Sequence, residues 1–345
     1  MNIFDIVTSK NIVAYWETNS NLPPYDGERF FPSKKQVGLT FEMIKGKQGT
    51  PVALVSSAFD TNVLYRDRIG LTELRGKLPF FKEATKIDEE LRQKLLTYND
   101  NYAQQLLPIV FDDLNGLLDG AEVTVERMRM QLLSTGTIAI KENGVDKAYD
   151  YGFKSATQSV TETTLWSADG AKPYLSLVKQ IKNYKKLTKK TAAIIIISDT
   201  AFSYLENDAT ILDVFAKASI PNPAPTTEEI KSYLERRLGV TFLIQDKTYK
   251  KARDFAGDDV RFYPENCYTI LPNEFLGETL YGTTPEEADL VSGNSKAGSA
   301  VVTGKGVAVT TWNEVDPVNI NTKVSEVVAP TCPNIDLIYI VKVTA

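Results

Sequence analysis

The sequence predicts an α+β protein built around one long amphipathic helix. Three observations predict it. From Leu106 to Leu133 the apolar residues Leu107, Val110, Leu114, Leu117, Ala121, Val125, Met128 and Leu132 recur at steps of three and four, which puts them on one helical face. Soon after, Asn143-Gly144 stands between two β-rich runs, the strongest short-range hairpin signal a sequence gives. Further on, AAIIIIS (Ala192 to Ser198) is uniformly apolar and predicts a strand buried on both faces, inside an alternation of helical and strand runs.

The long helix would be roughly 40 Å long at about 1.5 Å per residue. Asp112, Asp113, Asp119, Glu122, Glu126, Arg127, Arg129 and Gln131 fill its other side. Gly116 and Gly120 each cost about 1 kcal/mol in a helix interior, so packing must hold its centre. Pro108 is expected in the first turn, where proline is tolerated.

A chain of 345 residues is enough for two domains or one elaborated one. A net charge of -5 gives no global basic footprint for nucleic acid, while leaving local basic patches open. There is no histidine. That removes Ser-His-Asp and Cys-His catalysis and nearly every zinc site. Cys267 and Cys332 stand alone and are expected as buried thiols in a reducing compartment. The start, MNIFDIVTSKN, lacks the layout of a signal peptide, and the longest apolar run is too short to cross a bilayer.

Residues 1–34 read as an arm. A short helix over Met1 to Trp16 precedes a stretch in which Pro23, Pro24, Gly27 and Pro32 interrupt Tyr25, Phe30 and Phe31. Those aromatics need burial worth roughly 1.5 to 3 kcal/mol each. They are expected to find it on another subunit, with wrapping over the arm's own domain as the alternative. Val37 to Ile44 alternates like a strand, and the segment to about Lys86 reads as a long two-stranded excursion carrying Arg66, Arg68 and Arg75. A lone ribbon is marginal in water, so it too is expected to lie on a neighbour. Ile87 to Tyr98 reads as a short helix. The body from Thr157 to about Lys305 offers a helix over Lys172 to Tyr184, a possible cap at Asp199-Thr200, and a helix over Thr227 to Leu238 stopped by Gly239. Lys179 to Lys190 reads as a solvated face and turn, and Pro285 to Ser299 as loop. The tail returns to strand, with Ile335, Leu337, Tyr339, Val341 and Val343 in alternation.

Chemical motifs are missing. GSAVVTGKG (Gly298 to Gly306) imitates a phosphate loop but has five residues between Gly298 and Gly304 where four are needed, and Gly306 where Ser or Thr must stand. The acidic clusters Asp112-Asp113, Asp88-Glu89-Glu90 and Asp258-Asp259 read as solvated faces or first helical turns. Trp166 and Trp312 read as core or interface aromatics. No catalytic, cofactor or metal residue is expected.

The order of elements, with the stretches VGLTFEMIKGKQGTPVALVSS, LRGKLPFFKEATKI, KENGVDKAYDYGF, TTLWSADG, AAIIIISDTAFSYL and YPENCYTILPNEFLGETLYG, resembles the phage major capsid protein E family of Hong Kong 97-type fold. The resemblance runs over about residues 30 to 340 and lies in the succession of weak motifs. It implies an N-terminal arm (1–34), an extended β E-loop (35–85), a peripheral domain with its spine helix (86–165 plus 306–331) and an α/β axial domain (166–305 plus 332–345). It implies a structural subunit without catalysis that self-assembles into pentamers and hexamers of an icosahedral shell. The partners implied are a portal, a decoration protein and packaged double-stranded DNA bound without sequence specificity, in a virion assembled in the host cytoplasm. No long charged coiled coil precedes the arm, which implies a separate scaffolding protein or a trimmed N-terminus. The inter-subunit interface is expected at Tyr25, Phe30 and Phe31 of the arm, and where Arg66, Arg68 and Arg75 meet Asp112, Asp113, Asp119 or Glu122 of a neighbour. The rivals are a cellular encapsulin-like nanocompartment shell and, from another class, an α/β enzyme using the carboxylate of Asp199.

Overall fold

A computed structural model describes residues 7–20, 22–46, 71–97, 100–142, 144–217, 225–251, 258–293 and 299–344. In chain order the first half comprises α1 (Ser9–Asn19), α2 (Gly27–Phe30), β1 (Ser33–Lys35), β2 (Thr40–Gly46), β3 (Leu71–Lys77), β4 (Phe80–Ile87), α3 (Glu89–Thr97), α4 (Asp100–Thr135), β5 (Thr137–Glu142), β6 (Val145–Asp150), α5 (Ser155–Gln158), β7 (Ser159–Thr161) and α6 (Pro173–Thr188). There follow β8 (Ile194–Ser198), α7 (Asp199–Glu206), α8 (Ala209–Lys217), α9 (Thr227–Leu238), β9 (Thr241–Gln245), β10 (Thr248–Lys250), β11 (Asp259–Arg261), β12 (Cys267–Leu271), β13 (Glu278–Tyr281), α10 (Pro285–Val291), β14 (Ala300–Val302), β15 (Ala308–Asn313), β16 (Ile320–Thr331) and β17 (Tyr339–Lys342).

The chain divides into two compact units. The first comprises Met1–Glu42, Arg75–Arg129 and Gly277–Thr331. Its sheet runs β1-β13-β16-β15-β14, with β4 also paired to β16. β16 is the centre: it pairs with β15 from Ile320 to Ser325, with β13 from Val328 to Thr331, and with β4 from Ile320 to Val327. Nearly all of β16 is buried. The expected excursion is therefore split. β2 and β3 form a two-stranded ribbon, while β4 returns to the sheet. Residues 47–70, with Arg66 and Arg68, lie outside the described residues.

The arm packs on its own unit. Ser9 Oγ donates to the Ser299 carbonyl and accepts from the Thr311 N–H at 3.0 Å. Ile12 and Phe31 are 0% exposed and Phe30 is buried. The two phenylalanines thus have their burial within the chain, against the expectation of a second subunit. The stretch expected to lack regular structure instead forms one helical turn and a strand, because β1 adds in parallel to β13. Tyr25 is half-buried.

The second unit comprises Met43–Leu74, Met130–Leu276 and Cys332–Ala345. Its sheet runs β7-β17-β12-β8-β9, with β8 buried throughout, as its isoleucine run predicts. The core gathers Leu177 and Tyr184 of α6, Phe202 of α7, Leu234 of α9, Tyr268 of β12 and Trp166. Trp166 stacks on Tyr268 and donates its indole N–H to Ser176 at 3.2 Å, so it is a core residue. Cys267 and Cys332 are buried free thiols.

Four sequence expectations are corrected. The long helix begins at Asp100, which leaves Pro108 inside it. Ser198, not Asp199, caps α7, its Oγ accepting the Ala201 N–H at 3.0 Å. Pro285 to Val291 is a helix, since Thr284 accepts the Glu287 N–H and Pro285 takes the first helical position. Ile335–Leu337 is a 3₁₀ turn rather than strand. The amide of Gln158 holds that turn by donating to the Ile335 and Ile338 carbonyls at 2.8 and 2.9 Å.

Candidate interaction surfaces

On α4 the apolar stripe packs inward as expected at Val110, Leu114, Ala121, Val125, Met128 and Leu132, with Leu118 buried in preference to Leu117. The opposite face is not all solvated. Glu122, Glu126 and Arg129 are buried, because the arm lies over this part of the helix. Glu126 accepts the Gly27 N–H at 2.9 Å. A Cβ on Gly27 would stand 2.4 Å from Glu126 Oε2 and 2.8 Å from Arg129 Cδ, so only glycine allows this approach. Arg129 lies 3.6 Å from Glu126 and donates to Thr279 Oγ1 at 3.0 Å and to Ser33 Oγ at 3.2 Å. Lys305 bonds Glu122 at 3.0 and 3.2 Å and lies 3.6 Å from Glu28.

Beside this network lies Glu326, 2% exposed on β16. Neither of its carboxylate oxygens has a hydrogen-bond partner among the described residues. Burial pushes its pKa far up, the Glu122 charge adds to this, and Arg129 opposes it. Tyr25 is pushed up to about 12 by burial and by Glu126, Asp119 and Glu122. Tyr281 is raised likewise, by burial first and then by Glu326 and Glu122.

The predicted interface residues are placed as follows. Asp112 accepts from the Tyr15 hydroxyl at 3.1 Å, and Asp119 from the Trp16 indole N–H at 2.8 Å. Glu122 is held by Lys305. Asp112, Asp119 and Glu122 therefore have partners within their own chain, while Asp113 is exposed. Arg75 sits 3.4 Å from Glu42 across the ribbon, both of them solvated. Just before β2, Val37 is 95% exposed and Leu39 is exposed with it; on β2 Ile44 is exposed while Phe41 and Met43 are buried. Trp312, Val315 and Val318 form a second exposed apolar group at the β15–β16 turn.

Catalytic geometry is not found at the residues proposed for it. Asp199 is gripped by Arg261 at 2.5 and 3.2 Å and accepts the Thr200 N–H at 2.7 Å. Burial alone would raise its pKa, but these partners hold it below the usual carboxylate range. A carboxylate locked in its ionised form is badly placed for proton exchange near neutrality. The phosphate-loop imitation is a hairpin. Its amides are used internally, Gly306 N–H to Thr303 and Thr303 N–H to Val307, and the Lys305 charge goes to Glu122. The hollow beside it, lined by Trp16, Leu118, Glu122, Thr303, Lys305 and Val307, holds about 250 Å³. That is small for a ligand site. Among the described residues no His, Cys, Asp or Glu group could hold a metal ion, and no helix is long and apolar enough to cross a membrane.

The family model described as phage major capsid protein E matches residues 8–343. A prophage protein of Escherichia coli CFT073, described as its capsid protein, superposes with a TM-score of 0.63 at 13% identity, covering 98% of this chain and 99% of that one. A phage-related protein of Bordetella bronchiseptica RB50 gives 0.57 at 10% identity and 97% of each chain. The virus-like particle of Pyrococcus furiosus gives 0.50 at 11% identity, over 96% and 98%. At such identities the likeness is one of fold. No curated protein sequence matches the chain.

Proposed function

The chain belongs to the phage major capsid protein E family, and from that premise we propose that it closes an icosahedral shell of pentamers and hexamers around double-stranded DNA. Its α+β fold is the Hong Kong 97-type capsid fold, and it is a structural component of the virion. In this reading residues 1–34 are the arm, 35–85 the E-loop, and the remainder the peripheral and axial domains. Assembly takes place in the host cytoplasm with a separate scaffolding protein, a portal and a decoration protein.

The observation that carries the reading is the ribbon. β2 and β3 pair only with each other among the described residues; Phe41 and Met43 are buried within the chain, while Val37 and Leu39 before β2 and Ile44 on it are exposed. The chain covers part of the ribbon itself, and the exposed patch of Val37, Leu39 and Ile44 is what a second subunit would cover. Repeated head-to-tail, such a contact closes rings. Arg66, Arg68 and Arg75 of the E-loop then reach Asp112 and Asp113 of the next subunit. Arg75 can leave Glu42 at little cost, since exposed pairs are worth roughly 0 to 1 kcal/mol.

Charge reversal at Arg66 and Arg75 should leave the subunit folded by circular dichroism and abolish particles in electron micrographs. Normal particle yield would refute this contact. Particles that enclose protein cargo and no DNA would favour the nanocompartment reading over the phage shell.

A further inference from the structure

The outward face of α6 is a stripe of lysines with no ion-pair partner among the described residues. Leu177, Gln180 and Tyr184 define the buried face. At 100° per residue, Lys179, Lys182 and Lys186 fall on the opposite side. Lys172, Lys179, Lys182, Lys185, Lys186 and Lys189 are all exposed. Between residues 172 and 190 there is no Asp or Glu. Among the described residues no acid forms an ion pair with any of the six, although the neighbouring Lys190 pairs with Glu274 at 2.7 Å. The chain as a whole carries a net charge of -5, so this concentration runs against its own balance.

An ordinary solvated face looks different. On α9 the exposed residues Glu228, Glu229, Arg236 and Arg237 mix both signs. On α6 like charges stand three and four positions apart, an arrangement that destabilises a helix. The helix dipole favours cations in the last turn and so accounts for Lys185 and Lys186, but not for Lys179 or Lys182.

We propose that this lysine face binds the phosphate backbone of double-stranded DNA. The stripe from Lys172 to Lys189 spans about 25 Å at helical rise, facing roughly fifteen phosphate charges of a duplex laid along it. Lysine is a point charge that takes a phosphate without fixed orientation, whereas carboxylate recognition favours the arginine fork, which is absent here. The exposed apolar residues of α6 are Leu175 and Leu187, with no exposed aromatic or arginine anchor of the kind that dominates protein interfaces. The face therefore suits a polyanion better than a folded protein. Choosing DNA as the polyanion rests on the shell reading; the anion binding itself does not.

The test uses the full chain before assembly and a fluorescent duplex of about 20 base pairs, with affinity measured between about 50 and 200 mM salt. Lys179→Gln, Lys182→Gln and Lys186→Gln together should reduce the slope of log affinity against log salt by about 2.7, at about 0.9 per lost phosphate contact. The corresponding triple arginine variant should keep the wild-type slope, which shows that charge and not folding was lost. Absence of duplex binding by the wild type, or an unchanged slope in the glutamine variant, overturns the proposal. Equal binding of polyglutamate through the same lysines overturns the choice of DNA and assigns the face to an acidic protein. Particle formation, scored separately in micrographs, decides the shell reading.

Discussion

Glu326 is a buried carboxyl without a hydrogen-bond partner among the described residues. It stands on the central strand of the first unit and faces Glu122, Arg129 and Tyr281. In the fold its carboxyl is held neutral, while in the unfolded chain it ionises above its ordinary value of 4.5. As pH rises past that value, folding takes up a proton, and stability falls by up to about 1.4 kcal/mol per pH unit until the folded carboxyl itself ionises. Glu326→Gln should therefore flatten the loss of stability as pH rises above the ordinary carboxylate range, measured by urea denaturation at each pH. An unchanged pH dependence would mean that another group carries the proton. None of this was legible from the helical stripe alone. Periodicity correctly placed Val110, Leu114, Val125 and Met128 inside, but it assumes one buried face. Glu122, Glu126 and Arg129 are buried because a segment about a hundred residues away, around Gly27, crosses the helix's back.

At the scale of elements, the legible parts were those whose signals are local. Thr227 to Leu238 came out with its boundaries intact, because charge order and a terminal glycine mark both ends. Gly239 has φ +69°, and a Cβ there would meet nothing within 4 Å. Gly239→Ala should thus cost only the backbone strain, about 1 to 2 kcal/mol, read as a lower midpoint in thermal unfolding with function unchanged. Helix α10 carries a full start signal in Thr284, Pro285, Glu286 and Glu287, but the glycines and polar residues that follow it read as loop. The turn at Ile335–Leu337 was not legible for a different reason. Its apolar alternation fits a strand, and what bends it is the side chain of Gln158, remote in sequence.

For the molecule as a whole, the ribbon and the arm play different parts. The arm supplies a strand to the sheet and Ile12 and Phe31 to the core, so it belongs to the subunit's own stability. Deleting residues 1–34 should lower the denaturant midpoint sharply or leave the chain insoluble, since loss of a buried phenylalanine alone costs about 3 to 5 kcal/mol. A truncated chain of wild-type stability would show that the arm's contacts are incidental. The pairing of β2 with β3 was legible from the strand-like runs on either side of a turn. The arm's resting place was not, because apolar residues among prolines declare only that they need cover and not whose.

The return of the chain from the ribbon into β4 has a mechanical consequence. Eight consecutive residues of β4, from Phe80 to Ile87, are matched one to one with β16. Tension passed down the ribbon along the β4 axis would load all these rungs together, as in a lap joint, instead of opening them one after another from an end. A one-residue slip would also turn the strand's faces over and expel Ile87 from its buried seat. The root of the ribbon is therefore anchored on the central strand of its sheet, and a pull strong enough to free β4 would have to break that sheet's centre with it.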